Sequence, residues 1–220
     1  MSSSDMLIVA CHNKEDLTWL TRQTDYDYVI YSKKPLSLAE SAVDPSRIRS
    51  VENRGREALA YFRFMIDFYS DLPERVAFCH GHETAWHQDV KILEAIQRYD
   101  GSEFFSLNNP YLRHSLFENC AHGMPVWLQL KKYCPIFGVN LPEKLEHTWS
   151  AQFITTRECI LSNDVTLYQR CYQWLDEQRE MADFRAAILF EQLWYFILTG
   201  KMVEPRRLAK TIMTENGYQE

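Results

Sequence analysis

The chain alternates short, continuously apolar segments with longer amphipathic ones, and this alternation limits the available folds more than any single motif does. Apolar runs at residues 6–10 and 76–79 are typical of strands that are covered on both faces. Apolar residues at helical spacing occur at residues 58–68, 86–99 and 165–178. Buried strands that alternate with helices predict an α/β fold, a three-layer α/β/α sandwich around a mostly parallel central sheet.

Length and composition fit a single α/β domain over residues 1–220. A chain of 220 residues can bury a sizeable core, and its 46% hydrophobic and 25% charged residues are ordinary for a globular protein. Residues 111–149 are aromatic and interrupted by prolines, so we predict an irregular lid or excursion beside the ligand site. The polar tail at residues 205–220 is predicted to be loose.

The charge of the chain argues against a nucleic-acid partner. The formal net charge is −6, and no run of Lys or Arg exceeds two residues. A single phosphorylated ligand remains compatible with this charge. The six cysteines include no CxxC pair and are typical of reduced thiols in a cytoplasmic protein. The apolar run at residues 6–11 is too short for a signal peptide or a membrane span.

Polar segments follow the predicted strands, and the carboxyl ends of parallel strands are where such sheets bind ligands. There are four of these segments, at residues 11–16, 32–34, 80–87 and 108–109. We expect them to converge on one edge of the sheet and to form a site there. In the first segment, Asn13 is predicted to cap a helix over residues 14–23.

Three histidines lie close together in the third segment. His80 and His82 are two residues apart at a strand end, so their side chains share one side, and His87 can fold back toward them. Together they are a candidate metal site. Imidazoles favour zinc or another transition metal, whereas Glu83 and Asp89 offer the oxygens that Mn²⁺ or Mg²⁺ prefers. The alternative is a set of histidines that are hydrogen-bonded in a loop without an ion.

Arginines flank a glycine at the predicted start of the second helix. Free backbone N–H groups there, together with the guanidinium groups of Arg54 and Arg56, suit a phosphate or a diphosphate. The alternative is a solvated turn that Asn53 caps, with Glu57 in the first helical turn.

Glu191 is the one acidic residue in a predicted helix, residues 185–198, that is apolar nearly all round. Burial of a carboxylate costs free energy unless the group is paired or used. Glu191 therefore either pairs with a base such as Arg157 or lines the site as a general base with a raised pKa. The sequence contains no GxSxG, P-loop or GxGxxG motif, so we expect no nucleophilic hydrolase, no kinase and no organic cofactor.

Three segments of the chain form a recognisable combination. The first, residues 53–87, has a Gly-Arg-Glu helix and a strand that ends in His-Gly-His. The second, residues 150–161, is an Ala-Gln-Phe strand, and the third, residues 189–200, is a Glu-x-x-Trp helix. In this order they resemble the uncharacterised family named domain of unknown function 3431, over about residues 7–203. More loosely, this layout is similar to that of a GT-A (Rossmann-like) glycosyltransferase.

The GT-A resemblance implies a role for each part of the site. Residues 10–15 would hold a nucleotide, His80-Gly81-His82 would take the place of a metal-binding Asp-x-Asp, and Glu191 would be the catalytic base. The donor and its diphosphate would be bound by His12, Asn13, Arg54, Arg56, Glu57, His80 and His82. The acceptor side would contain Gln152, Arg157 and Trp194. The implied cofactor is a divalent metal, Mn²⁺ or Mg²⁺ before Zn²⁺.

The leading functional hypothesis is therefore a glycosyltransferase that moves a sugar from a nucleotide sugar to a hydroxyl of a glycan. Inversion at the anomeric carbon is expected if Glu191 is the base. The first alternative is a zinc-dependent hydrolase that uses His80, His82 and His87. The second alternative is a non-catalytic module that binds a phosphorylated ligand.

Overall fold

A six-stranded sheet lies at the centre of the computed structural model, which describes residues 5–35, 43–120, 123–149 and 151–206. Its strands are Met6–His12 (β1), Asp27–Ser32 (β2), Ile48–Ser50 (β3), Arg75–His80 (β4), Phe104–Ser106 (β5) and Phe153–Thr156 (β8). The order across the sheet is β3-β2-β1-β4-β8-β5. Strands β1 to β4 pair in parallel, whereas β8 is antiparallel to both β4 and β5. The predicted α/β fold with a mostly parallel central sheet is confirmed.

Helices pack on both faces of this sheet. They are Thr18–Arg22 (α1), Arg56–Asp67 (α2), Ile92–Gln97 (α3), Met124–Phe137 (α4), Arg157–Leu161 (α5), Val165–Glu177 (α6) and Asp183–Thr199 (α7). Successive residues of a strand point to opposite faces, so Ile8 and Val9 enter different cores. The core around Val9 contains α2, α4, α6 and α7, and the core around Ile8 contains α1 and α3.

The larger core is built on α2, whose aromatic side chains fill the space between the sheet and α7. Phe62 and Trp194 are both buried, and their ring centroids lie 4.7 Å apart. Tyr61 reaches the sheet, where its ring centroid lies 4.8 Å from that of Phe78. Burial of one such side chain contributes about 1.5–3 kcal/mol to stability. This packing holds the first turn of α2 beside the carboxyl end of β4.

Two predicted helices are shorter than their sequence patterns indicate. Asn13 caps no helix, because α1 begins only at Thr18. The backbone N–H of Asn13 donates instead to the Glu15 carboxylate at 2.6 Å. The helix expected over residues 86–99 begins at Ile92, whose backbone N–H donates to the Glu83 carbonyl at 3.0 Å. In both places, local hydrogen bonds close a loop that carries polar side chains to the sheet edge.

The described residues of segment 111–149 form regular elements, so the irregularity predicted for this segment is wrong. Its role as a lid or acceptor-side excursion stays a prediction. Strands Arg113–Phe117 (β6) and Lys144–Thr148 (β7) form an antiparallel pair, and the 14-residue helix α4 lies between them in the chain. Prolines obscure this pattern although they are compatible with it. Pro125 lies at the start of α4, where a missing N–H costs no hydrogen bond.

The end of the described chain is attached to β7. Glu204 is buried, and its carboxylate accepts the backbone N–H of Thr148 at 2.6 Å. Of the tail predicted to be loose, residues 207–220 lie outside the described residues. No helix in the described ranges has the length and apolar character needed to cross a bilayer. The cytoplasmic location expected from the sequence stays a prediction.

Substitutions at two glycines distinguish the cost of backbone strain from the cost of crowding by neighbouring side chains. Gly55 has φ +56°, and a Cβ there would lie 3.1 Å from Leu175, whereas Gly101 has φ +85° with no atom within 4 Å of a Cβ. Gly101→Ala should lower the free energy of unfolding by about 1–2 kcal/mol, because only the left-handed backbone opposes it. Gly55→Ala should lower it further. Urea unfolding measures the free energy of unfolding of both variants. Equal losses would contradict the packing of Leu175, in α6, against Gly55.

Candidate functional site

A cavity of about 570 Å³ opens at the carboxyl ends of β1, β2 and β4. All four polar strand-end segments predicted to converge contribute to its lining. The contributing residues are Asn13 and Glu15 after β1, Lys33 after β2, His80, His82 and His87 after β4, and Asn108 after β5. Arg56 and Glu57 line it from α2, Glu191 lines it from α7, and Trp149 lines it from the segment before β8. The expected convergence at this edge is confirmed.

The turn that carries the histidines is held by β1 and α1. Gly81 packs so closely that a Cβ would lie 3.1 Å from the Cys11 carbonyl oxygen, so a larger residue does not fit without a shift. The indole N–H of Trp19 donates to the Gly81 carbonyl at 2.6 Å. Because both neighbours belong to rigid elements, the turn projects His80 and His82 into the cavity from a fixed backbone.

Each of the three histidines offers one nitrogen to a shared point in the cavity. One ligand atom from each of His80, His82 and His87 lies within 4.8 Å of the other two. Nδ1 of His80 is 3.3 Å from Nε2 of His82. On the opposite side of its ring, Nε2 of His80 is 3.6 Å from Oε2 of Glu57. These three residues are the candidate metal ligands of the site.

The histidines are neutral near pH 7. Burial lowers the pKa of His80 well below 6.5, and the neighbouring His82 lowers it further. Burial also lowers the pKa of His82 and of His87. A neutral imidazole keeps a nitrogen lone pair, which is the form that binds a metal.

A pair of buried carboxyl groups lies beside the histidines. Burial raises the pKa of Glu57 to about 8, and the charge of Glu191 raises it as well. Burial raises the pKa of Glu191 too, whereas the indole N–H of Trp149, which donates to its Oε2, and the charge of Arg56 act in the opposite direction. The cavity therefore contains two carboxyl groups that hold protons more tightly than exposed glutamates do.

Two cations face these carboxyl groups. The ammonium group of Lys33 donates to the Arg54 carbonyl at 2.5 Å, and burial lowers the pKa of Lys33. Arg56 is exposed and has φ +44°, a left-handed conformation that a side chain adopts at a cost of roughly 1–3 kcal/mol. The preceding turn is held by the Gly55 backbone N–H, which donates to Asp183 at 2.6 Å.

Comparison with protein families places the whole of this site within one known family. The family model described as protein of unknown function (DUF3431) matches residues 7–213, which include every residue that lines the cavity. The chain belongs to the DUF3431 family. Searches of curated proteins and of solved structures found no match. Membership confirms the family resemblance seen in the sequence, while the description of the family names no activity.

In this DUF3431 chain, five of the residues predicted to bind the donor or the acceptor do not line the cavity: His12, Arg54, Gln152, Arg157 and Trp194. The Arg54 guanidinium donates to the Gln178 carbonyl at 2.7 Å and so binds the end of α6. The buried His12 forms a hydrogen bond of 2.8 Å through Nδ1 with the Ser32 hydroxyl, between β1 and β2. Trp194 belongs to the core. Trp194 is in the core because α7 has apolar surroundings, and His12 is buried because β1 pairs with β2.

Arg157 and Gln152, both predicted for the acceptor side, lie at different distances from the cavity. Arg157 lies at the opposite edge of the sheet, where its backbone N–H donates to the Glu74 carbonyl at 2.9 Å, because β8 runs antiparallel and carries it away. It is not the partner of Glu191. Gln152 is buried behind the cavity, and its Oε1 accepts the backbone N–H of His80 at 2.9 Å. Gln152 therefore supports the histidine turn.

Sequence reasoning did not single out several side chains that line the cavity. Lys33 and Asn108 lie in segments that the sequence did indicate, because both follow predicted strands. Trp149 and Asp183 carry no such local signal. Their positions depend on the packing of α7 against the strand-end loops, and no spacing in the sequence reports that packing.

The raised pKa of Glu57 predicts a dependence of stability on pH. The folded state keeps this proton up to a pKa of about 8, whereas the unfolded chain releases it near 4.5. The stabilisation is complete below pH 4.5 and is lost as the pH rises through about 8. The Glu57→Gln side chain does not ionise, so its free energy of unfolding should increase relative to wild type across this window.

Urea unfolding with a chelator present measures this difference between pH 4.5 and pH 9, a range that contains both values. Glu191→Gln is the matched variant. It removes the charge of Glu191, which is the second cause of the raised pKa of Glu57. The free energy of unfolding should therefore decline less steeply with pH than in wild type. A constant difference between Glu57→Gln and wild type would contradict a protonated Glu57 in the folded protein.

Proposed function

We propose that this DUF3431 protein is a glycosyltransferase that moves a sugar from a nucleotide sugar to a hydroxyl of a glycan. The observation that supports the proposal is that the carboxyl group of Glu191 shares one cavity with groups suited to a diphosphate. The cavity volume, about 570 Å³, lies in the range of sites for small molecules, about 300–1,000 Å³. The positions expected from the GT-A resemblance supply three parts of this cavity: the turn after β1, the end of β4 and the helix that carries Glu191.

The donor side uses positive charge. Lys33 and Arg56 line the cavity and can stabilise the charge that develops on a departing nucleoside diphosphate. Arg56 is also the first residue of α2, so backbone N–H groups of the first helical turn are close to it. A divalent cation at the histidines would neutralise further phosphate charge.

The acceptor side uses Glu191. As a carboxylate, it accepts the proton of the acceptor hydroxyl while the hydroxyl oxygen forms its bond to the anomeric carbon. The bond from that carbon to the diphosphate breaks in the same step. The indole N–H of Trp149 orients the carboxylate through Oε2, and burial maintains its affinity for a proton. One displacement of this kind inverts the anomeric configuration.

A metal-dependent hydrolase is the second candidate, and the ligand set favours it. The three candidate ligands are all imidazoles, as in catalytic zinc sites that keep one position for water. Glu191 would then accept a proton from that water. Ester or amide hydrolysis that a chelator abolishes, together with no binding of any nucleotide sugar, would favour the hydrolase over the transferase.

Glu191→Gln tests the assigned role in transfer. The amide cannot accept the proton, so the transfer rate should fall by about 10²–10⁴-fold. Binding of the nucleotide sugar should persist, measured as a rise in the thermal midpoint, because ligand binding to the folded state alone raises stability. Glu158→Gln, in α5 beyond the opposite end of β8, is the matched control and should retain the wild-type rate.

The stereochemistry of the product gives an independent result. The anomeric configuration, measured by NMR of the fresh product, should be inverted relative to the donor. A retained configuration would remove Glu191 from the role of base. A thermal midpoint that no nucleotide sugar raises, with or without divalent metal, would contradict the transferase itself.

A further inference from the structure

We propose that His80, His82 and His87 form a three-nitrogen centre for Zn²⁺ or a cation of similar preference, and that Glu57 and Asn108 orient two of its ligands. The proposal concerns the binding of a metal to the protein alone. It therefore stands or falls separately from the transferase activity.

The spacing of the first two ligands fits a tetrahedral ion. Nδ1 of His80 and Nε2 of His82 are 3.3 Å apart. Two nitrogens bound at about 2.0–2.1 Å to a tetrahedral zinc ion lie about 3.3–3.4 Å apart. The two nitrogens, which form a hydrogen bond with each other in this structure, thus have the spacing that such an ion requires. One ring nitrogen of His87 lies within 4.8 Å of a ring nitrogen of each of the other two histidines, so binding of the third ligand needs a change in the His87 side chain.

Hydrogen bonds around Asn108 determine which nitrogen His87 offers. The Asn108 side chain donates through Nδ2 to the Trp149 carbonyl at 3.0 Å and accepts through Oδ1 from Nε2 of Gln152 at 3.2 Å. Oδ1 also lies 3.0 Å from Nδ1 of His87. Because Oδ1 is an acceptor, Nδ1 of His87 carries the proton. The lone pair is then on Nε2, which is the metal ligand.

Two buried polar atoms beside His80 support the same arrangement. Nε2 of His80 and Oε1 of Glu57 are buried without a hydrogen-bond partner among the described residues. Nε2 is 3.6 Å from Oε2 of Glu57, slightly beyond hydrogen-bond distance. A cation on Nδ1 would place the proton on Nε2, from which it can be donated to a carboxyl oxygen of Glu57. Metal-binding histidines commonly donate their second N–H to a carboxylate in this way.

The chemistry of the ligands selects the cation. Three imidazole nitrogens favour Zn²⁺, Co²⁺ or Ni²⁺, whereas Mg²⁺ and Mn²⁺ prefer oxygen ligands. Glu83, which the sequence suggested as an oxygen ligand, forms an ion pair of 3.1 Å with Lys91. Asp89, the other suggested oxygen ligand, forms an ion pair of 3.4 Å with Arg98. The proposal therefore favours Zn²⁺ over the Mn²⁺ or Mg²⁺ expected from the sequence. Three protein ligands would leave a fourth position, and Glu191 lines the same cavity as the three histidines.

Metal binding to the purified, metal-free protein tests the centre. Equilibrium dialysis with elemental analysis should show one equivalent of Zn²⁺, and Co²⁺ should produce the intense visible absorption of a four-coordinate ion. His82→Ala should lose at least about 100-fold in Zn²⁺ affinity. His114→Ala is the matched control, since His114 bonds to Gln192 and lies outside the cavity lining, and it should bind as wild type does.

Several results would overturn the centre. They are no bound Zn²⁺ or Co²⁺, tighter binding of Mn²⁺ or Mg²⁺ than of Zn²⁺, and an equal loss of affinity in the His114→Ala control. None of these measurements uses a nucleotide sugar, so their failure is distinct from a failure of the transferase proposal.

Substitutions of Asn108 separate an orienting role from a structural one. Asn108→Ala removes the acceptor for His87 and should lower Zn²⁺ affinity by about 10–100-fold. Asn108→Asp also loses the donor to Trp149 but keeps an acceptor oxygen, so it should bind Zn²⁺ at least as tightly as wild type. Equal losses in both variants would show that Asn108 acts only by holding the Trp149 segment. Circular dichroism verifies the fold of each variant.

Discussion

The candidate site depends on one buried amide, the side chain of Gln152. It is fully buried, and it joins β4 to the chain after β5 by accepting from the His80 backbone and donating to Asn108. An unpaired buried amide costs about 1–3 kcal/mol, so these hydrogen bonds specify a single arrangement. Asn108 in turn contacts His87 and the Trp149 carbonyl. The positions of the histidines and of the tryptophan beside Glu191 are thereby connected.

The chemistry of the cavity follows from the same burial that stabilises the fold. Buried aromatic residues of α2 hold its first turn against the end of the sheet, which removes Glu57 from water and raises its pKa. The same burial lowers the pKa of His80 and keeps its imidazole neutral. A metal ligand and a proton-binding carboxyl thus arise side by side from one physical cause. Arg56, in contrast, is exposed where it lines the cavity.

The sequence predicts the sheet and the edge at which the cavity opens, because continuous apolar runs report burial directly. Strands β1 and β4 and the convergence of the polar segments at the sheet edge are examples. Periodicity reports burial but not the direction of a strand. The strand β8 was therefore predicted without its antiparallel orientation, and Arg157 was placed at the wrong edge. Trp194 shows the same limit, since an aromatic residue one turn from Glu191 enters either a core or a site. Only tertiary packing distinguishes these two positions.

The most direct test of the account is a crystal structure of the protein with Zn²⁺ and a nucleoside diphosphate. The account predicts anomalous scattering from one ion bound by His80, His82 and His87 at about 2.0–2.1 Å. It also predicts a diphosphate oxygen on the fourth position, with the phosphates within reach of Lys33 and Arg56. An ion held by other residues, or a nucleotide bound away from the carboxyl ends of β1 and β4, would contradict it.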